Sequence, residues 1–139
     1  MEAGYRILEH PADLGLEAWG ETLSDAFRQS VLALLSVIVD AAAVSRQASR
    51  PVDLQASDPE QLLVRLLSEV IFALDAERFI VAQLVIDEMK GTSLKGTFKG
   101  ERLDPAKHVF KLDVKAITYH QLSITEKGGL VRAKVFVDI

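Results

Sequence analysis

The sequence predicts a single α+β domain in which a mostly antiparallel β-sheet packs against two main α-helices. Three observations lead there. Two segments with apolar residues at helical spacing lie before residue 78, alternating strand-like segments follow from residue 79, and a Glu126-Lys127-Gly128-Gly129 turn between two of them marks a hairpin.

The elements follow in order. Tyr5 to Glu9 and Leu14 to Gly20 read as paired strands, with Gly20 ending the second. Between them Pro11 fixes its own φ, disfavours a helical His10, and with Gly15 suggests a turn. Thr22, with Asp25 three residues on, approximates a capping box for a helix. Its buried stripe is Leu23, Ala26, Phe27, Val31, Leu34, Leu35 and Ile38.

A loop is expected from Asp40 to Arg50, then a strand from Pro51 to Ala56 with Pro51 at its start or on an edge. Asp58-Pro59-Glu60 starts the central helix, since proline wastes no amide at the first helical position and Asp58 can cap. Further strands are predicted at Phe79–Ile86, Ser93–Gly100, Val109–Ile117, Leu122–Thr125 and Leu130–Val137, with Gly91, Gly96 and Gly100 at turns or bulges.

A chain of 139 residues suits one domain, residues 1–139, with its own core. The absence of cysteine removes disulfides, thiolate metal sites and cysteine nucleophiles. The opening residues do not resemble a signal peptide, and no apolar run approaches the about 18 residues that span a bilayer, so a cytoplasmic location without membrane contact is expected.

The net charge of −4 is unevenly spread. Residues 1–89 hold six arginines, no lysine and fifteen acids, whereas residues 90–139 hold ten basic residues and five acids. Alternating lysines there fit a solvated face that blunts sheet edges, or a face toward an acidic partner or phosphate.

Asp13 and Asp138 would form a hard-oxygen site for Mg²⁺, Mn²⁺ or Ca²⁺ if the fold joins them; otherwise each is an exposed aspartate. His10, His108 and His120 match no zinc spacing, so His10 and His120 are either auxiliary ligands and proton carriers or ordinary turn residues. Lys115, in phase with Asp113 and Ile117 on the predicted strand, would turn toward the less exposed face to bind phosphate or a carboxylate, or would reach to water from an edge. There is no glycine-rich phosphate loop, Gly-x-Ser-x-Gly elbow or dinucleotide fingerprint, which argues against an autonomous nucleotide enzyme.

Four stretches together resemble the archease family: Glu9-His10-Pro11-Ala12-Asp13-Leu14-Gly15, Gly100 to His108, Val114-Lys115-Ala116-Ile117-Thr118-Tyr119-His120 and Val135-Phe136-Val137-Asp138-Ile139. The resemblance implies a small accessory protein, not an enzyme, with no catalytic residue of its own. Its implied partner is the RtcB-type GTP-dependent RNA ligase of tRNA splicing and RNA repair. It would promote ligase guanylylation and multiple turnover, broaden nucleotide use, and act indirectly on tRNA or other RNA and GTP.

The resemblance further implies a divalent metal ion (Ca²⁺, Mg²⁺ or Mn²⁺) at Asp13, Asp138 and a main-chain or terminal oxygen of Ile139. Lys115 matches the family's functional lysine, with His10 and His120 in support. One departure is Pro11, where the family commonly has threonine; the hydroxyl is lost and the loop stiffened. Two other readings compete: a stand-alone divalent-metal-dependent phosphohydrolase, and a chaperone-like modulator of RNA processing.

Overall fold

A computed structural model describes residues 2–9 and 13–139. It confirms the α+β class, with the antiparallel strands divided between two sheets. In chain order the elements are β1 (Gly4–Glu9), β2 (Asp13–Gly20), α1 (Leu23–Ile38), a 3₁₀ turn (Ala41–Ala43), β3 (Ala48–Gln55), α2 (Pro59–Glu77), β4 (Phe79–Lys90), β5 (Ser93–Arg102), β6 (Ala116–Ile117), β7 (Ser123–Lys127) and β8 (Leu130–Asp138). One sheet runs β1-β2-β8-β6, with β7 sharing the far edge of β8; the other runs β3-β5-β4.

Both helix starts form as their sequences dictate. Thr22 Oγ1 accepts from the Asp25 amide at 3.1 Å, and Asp58 Oδ1 accepts from the Gln61 amide at 2.8 Å. Phe27, Val31 and Leu34 of α1 and Leu62, Leu66 and Leu67 of α2 are fully buried in one core between the sheets and helices. Burying each of these large side chains contributes about 1.5–3 kcal/mol. Pro51 lies within β3 on an edge strand, where its missing amide breaks no ladder.

Gly96 and Gly100 of β5 face the places where β4 bulges, between Val81 and Gln83 and between Ile86 and Glu88. A Cβ at either glycine would be driven into a β4 carbonyl oxygen, that of Val85 or of Ile80. The β7–β8 turn is closed by Gly128 and Gly129, both at positive φ (62° and 75°), which suits the twist of a two-residue hairpin.

Three expectations are corrected. The segment Val109–Ile117 is not one strand: only Ala116–Ile117 joins a ladder, beyond an isolated bridge at Phe110. Its amides serve another end, because Lys111 N–H donates to Ile38 O (2.8 Å) and Leu112 N–H to Val37 O (3.2 Å), carbonyls that the last turn of α1 leaves open. The expected Asp40–Arg50 loop contains the 3₁₀ turn and the start of β3. Gly15 makes no turn; it sits within β2, where a Cβ would press on the Phe136 ring at 3.1 Å.

Candidate functional site

The site lies on the outer face of the five-stranded sheet. On β2 and β8, Leu14, Leu16, Val135 and Val137 alternate inward and are at most 8% exposed. A slip of one residue would expose them all, so register is strongly fixed. That register pairs Asp13 with Asp138, Gly15 with Phe136, Glu17 with Lys134 and Trp19 with Arg132. Burial of the alternating apolar residues thus sends both aspartates to the opposite face, side by side across neighbouring strands.

Directly opposed residues carry their Cβ atoms about 4.5–5.5 Å apart, close enough for two carboxylates to repel each other or to share a cation. Asp138 is exposed, whereas Oδ1 of Asp13 is buried from solvent. β6 adds the third strand of this corner, with Ala116 opposite Asp138. Lys115 N–H donates to Asp138 O at 2.9 Å, so the main chain fixes the lysine beside the aspartate.

The Lys115 side chain does not turn to a less exposed face as its predicted strand phase suggested. Ala116 holds the register position on the carboxylates' face, and Lys115 is exposed one residue before the two-residue strand begins. Among the described residues its ammonium pairs with neither aspartate. Ile139 follows Asp138 directly and is 40% exposed.

His120 is exposed, donates its amide N–H to Thr118 Oγ1 (3.2 Å), and sets its ring edge-on to Phe136 with centroids 5.8 Å apart. It therefore stands beside the row adjoining the aspartates. His10, Pro11 and Ala12 lie outside the described residues. Among the described residues no group of three or more histidine, aspartate or glutamate side chains converges as a metal cage. What the fold brings together is a two-carboxylate corner with neighbouring main-chain oxygens, a donor set suited to a hard cation that keeps other ligands.

Two further ionisable clusters lie outside the site residues that the sequence singles out. His108 has a fully buried side chain: its Nδ1 accepts from the Asp104 amide at 2.9 Å and its Nε2 lies 3.0 Å from Glu101 Oε2. An accepting Nδ1 leaves the proton on Nε2, so the ring is the neutral tautomer donating to Glu101. Lys107 at 2.6 Å, the Ser45 amide at 2.8 Å and His108 hold the Glu101 carboxyl down at about 2. This cluster ties the Asp104–His108 turn to the chain before β3.

The second cluster is Glu17, whose side chain is 10% exposed; Arg6 reaches it at 2.8 Å and Arg132 at 3.4 Å. The readable signal was the final strand, where Arg132, Lys134, Phe136 and Asp138 occupy every second position.

A family model described as the archease protein family (MTH1598/TM1083) matches residues 5–139. The protein archease of Methanosarcina mazei is 35% identical over 139 residues, covering 97% of this chain and 95% of its own. That of Pyrococcus abyssi is 38% identical over 135 residues, covering 94% and 95%. The solution structure of Methanobacterium thermoautotrophicum protein 1598 matches with a TM-score of 0.81 at 30% identity, over 98% of this chain and 99% of that one. A crystal structure from Thermotoga maritima, described as "an archease, possible chaperone", matches with a TM-score of 0.69 over 96% of both chains; at 20% identity this is a likeness of fold.

Proposed function

The chain belongs to the archease protein family, and from that premise we propose that it is a non-enzymatic, metal-binding activator of an RtcB-type RNA ligase. In this reading it promotes ligase guanylylation and multiple turnover in tRNA splicing and RNA repair, with cytoplasmic action and broadened nucleotide use. The observation that carries the proposal is the pairing of Asp13 with Asp138 at one register, with the Lys115 amide on the Asp138 carbonyl.

Asp13, Asp138 and a main-chain oxygen of Ile139 are the groups that would hold Ca²⁺, Mg²⁺ or Mn²⁺. A hard cation takes six or more oxygens, so this donor set fills only part of its shell and leaves places for water or a partner's oxygens. Bound there, such an ion supplies positive charge to a phosphate-rich pocket. The two carboxylates hold a charge in place, and the exposed Lys115 ammonium adds a cationic donor that reaches solvent beside them. His120 stands at the rim, and His10 precedes Asp13 by three positions in the sequence. Preorganised charge of this kind lowers barriers where negative charge develops on a triphosphate.

Guanylylation of purified ligase, with and without this protein, tests the reading. Asp13→Ala and Lys115→Ala are expected to abolish stimulation and multiple turnover while melting like the parent. Unchanged stimulation by both folded variants refutes it. GTP consumption by the isolated protein with Mn²⁺ would point instead to a phosphohydrolase.

A further inference from the structure

The outer sheet face is ordered in rows about 7 Å apart, two residues of rise each. The first row is the aspartate pair; the second is Leu8, Gly15 and Phe136; the third is Arg6, Glu17, Lys134 and Ser123; the fourth holds Trp19, Arg132 and Thr125. In the last two rows three cations surround one carboxylate. Glu17 is shared by Arg6 and Arg132, whose side chains remain 60% and 43% exposed. Lys134 occupies the register opposite Glu17.

One carboxylate cannot neutralise three cations, and the excess is held in fixed positions. The Arg132 guanidinium lies 5.9 Å from the Trp19 ring centroid, and the Lys134 ammonium 5.6 Å from that of Phe136. The rings thus support cations and are not bare platforms for stacked bases. Ser123 and Thr125 share the face, at the registers of Lys134 and Arg132, and bring hydroxyls of the kind that complete contacts to phosphate oxygens. α1 packs on the opposite face, where Leu16, Ala18 and Val135 enter the core.

We propose that Arg6, Arg132 and Lys134, gathered around Glu17, form a binding site for the phosphodiester backbone of single-stranded RNA. The choice of RNA rests on the ligase-activator reading above; the surplus of positive charge does not. Lys134 stands four residues from Asp138 on β8, about 14 Å along the strand. A backbone seated on the cations would therefore run along the face toward the aspartate corner, crossing the Phe136 row. Contacts to phosphates and hydroxyls read no sequence, so the site takes RNA irrespective of base order.

The test is fluorescence anisotropy of the isolated protein with a labelled single-stranded oligoribonucleotide of mixed sequence, from 25 to 200 mM NaCl. Three neutralised phosphates give a slope of log K against log[salt] of about −2, at about −0.7 each. Arg132→Gln and Lys134→Gln are each expected to weaken binding several-fold at 50 mM salt and to flatten the slope by about 0.7. Lys95→Gln, on the other sheet, should change neither.

Thr125→Lys, which adds a cation at the register of Arg132, should tighten binding and steepen the slope, a gain that misfolding cannot imitate. No binding at 25 mM salt, or binding indifferent to all these substitutions, overturns the proposal. Equal affinity for a polyglutamate of matched charge also overturns it, in favour of an acidic protein surface. RNA-free ligase guanylylation separates the two readings. Arg132→Gln and Lys134→Gln should leave its stimulation intact, and loss of the activator role through Asp13→Ala and Lys115→Ala would not alter the salt slopes.

Discussion

Asp13 and Asp138 stand directly opposite each other across β2 and β8, although 125 positions separate them in the chain. Like charges so placed cost about 0.2–1 kcal/mol unless a cation or a proton intervenes. Without divalent ions, Asp138→Asn should therefore melt at or slightly above the parent temperature. With Mn²⁺ or Ca²⁺ at a hundredfold excess over its Kd, the parent should gain about 2.7 kcal/mol and the variant should gain little. Equal ion-dependent shifts in parent and variant would place the metal elsewhere. Thermal melts with and without the ion decide.

Lys115 is exposed and fixed through its main chain, so its side chain contributes little to packing. Lys115→Ala should change unfolding free energy by no more than about 0.5 kcal/mol. A denaturant titration checks this beside the guanylylation assay, and a large loss of stability would make the lysine structural.

Acid should act on the Glu101 cluster. The Lys107 ammonium first, then the Ser45 amide and the His108 ring, hold this carboxyl at about 2, below its ordinary 4.5. A depressed carboxyl stabilises the fold above 4.5, and that contribution fades as pH falls from 4.5 toward about 2. The parent should lose stability across that window more steeply than Glu101→Gln, measured by urea titrations between pH 2 and 6. Parallel curves would show that the carboxyl titrates normally.

Gly100 faces the bulge of β4, where a methyl group would meet the Ile80 carbonyl oxygen. Gly100→Ala should cost about 1–3 kcal/mol, in the manner of an overpacked interior. Gly91→Ala, whose nearest neighbour would be Pro59 at 3.7 Å, meets no such obstacle. Comparing the two by denaturant midpoint isolates the close approach from the loss of a glycine as such.

Much of the fold was legible because local rules and tertiary burial agree. The capped starts at Thr22 and Asp58, the helical stripes and the double-glycine hairpin each appear where the sequence put them. Val109–Ile117 misled because Phe110, Leu112 and Val114 alternate like a strand, yet Phe110 and Leu112 stay exposed while the Lys111 and Leu112 amides complete α1. Nothing local announces that demand. The aspartates were recognisable as candidates, but their meeting depends on the pairing of two distant strands. The Glu17 cluster was missed because its members are drawn from three strands.

β8 is the last of the eight strands among the described residues, yet it lies between β2 on one side and β6 and β7 on the other. During synthesis β1 and β2 emerge from the ribosome first, at about 5–20 residues per second, and wait with one edge of β2 bare. No intermediate lacking β8 can align Asp13 with its counterpart. Such distant pairing slows folding, and the carboxylate corner takes shape at the final closure of the sheet. A nascent or clipped chain without β8 therefore has no paired carboxylates to offer: the corner is assembled last, and its presence marks a sheet that has closed.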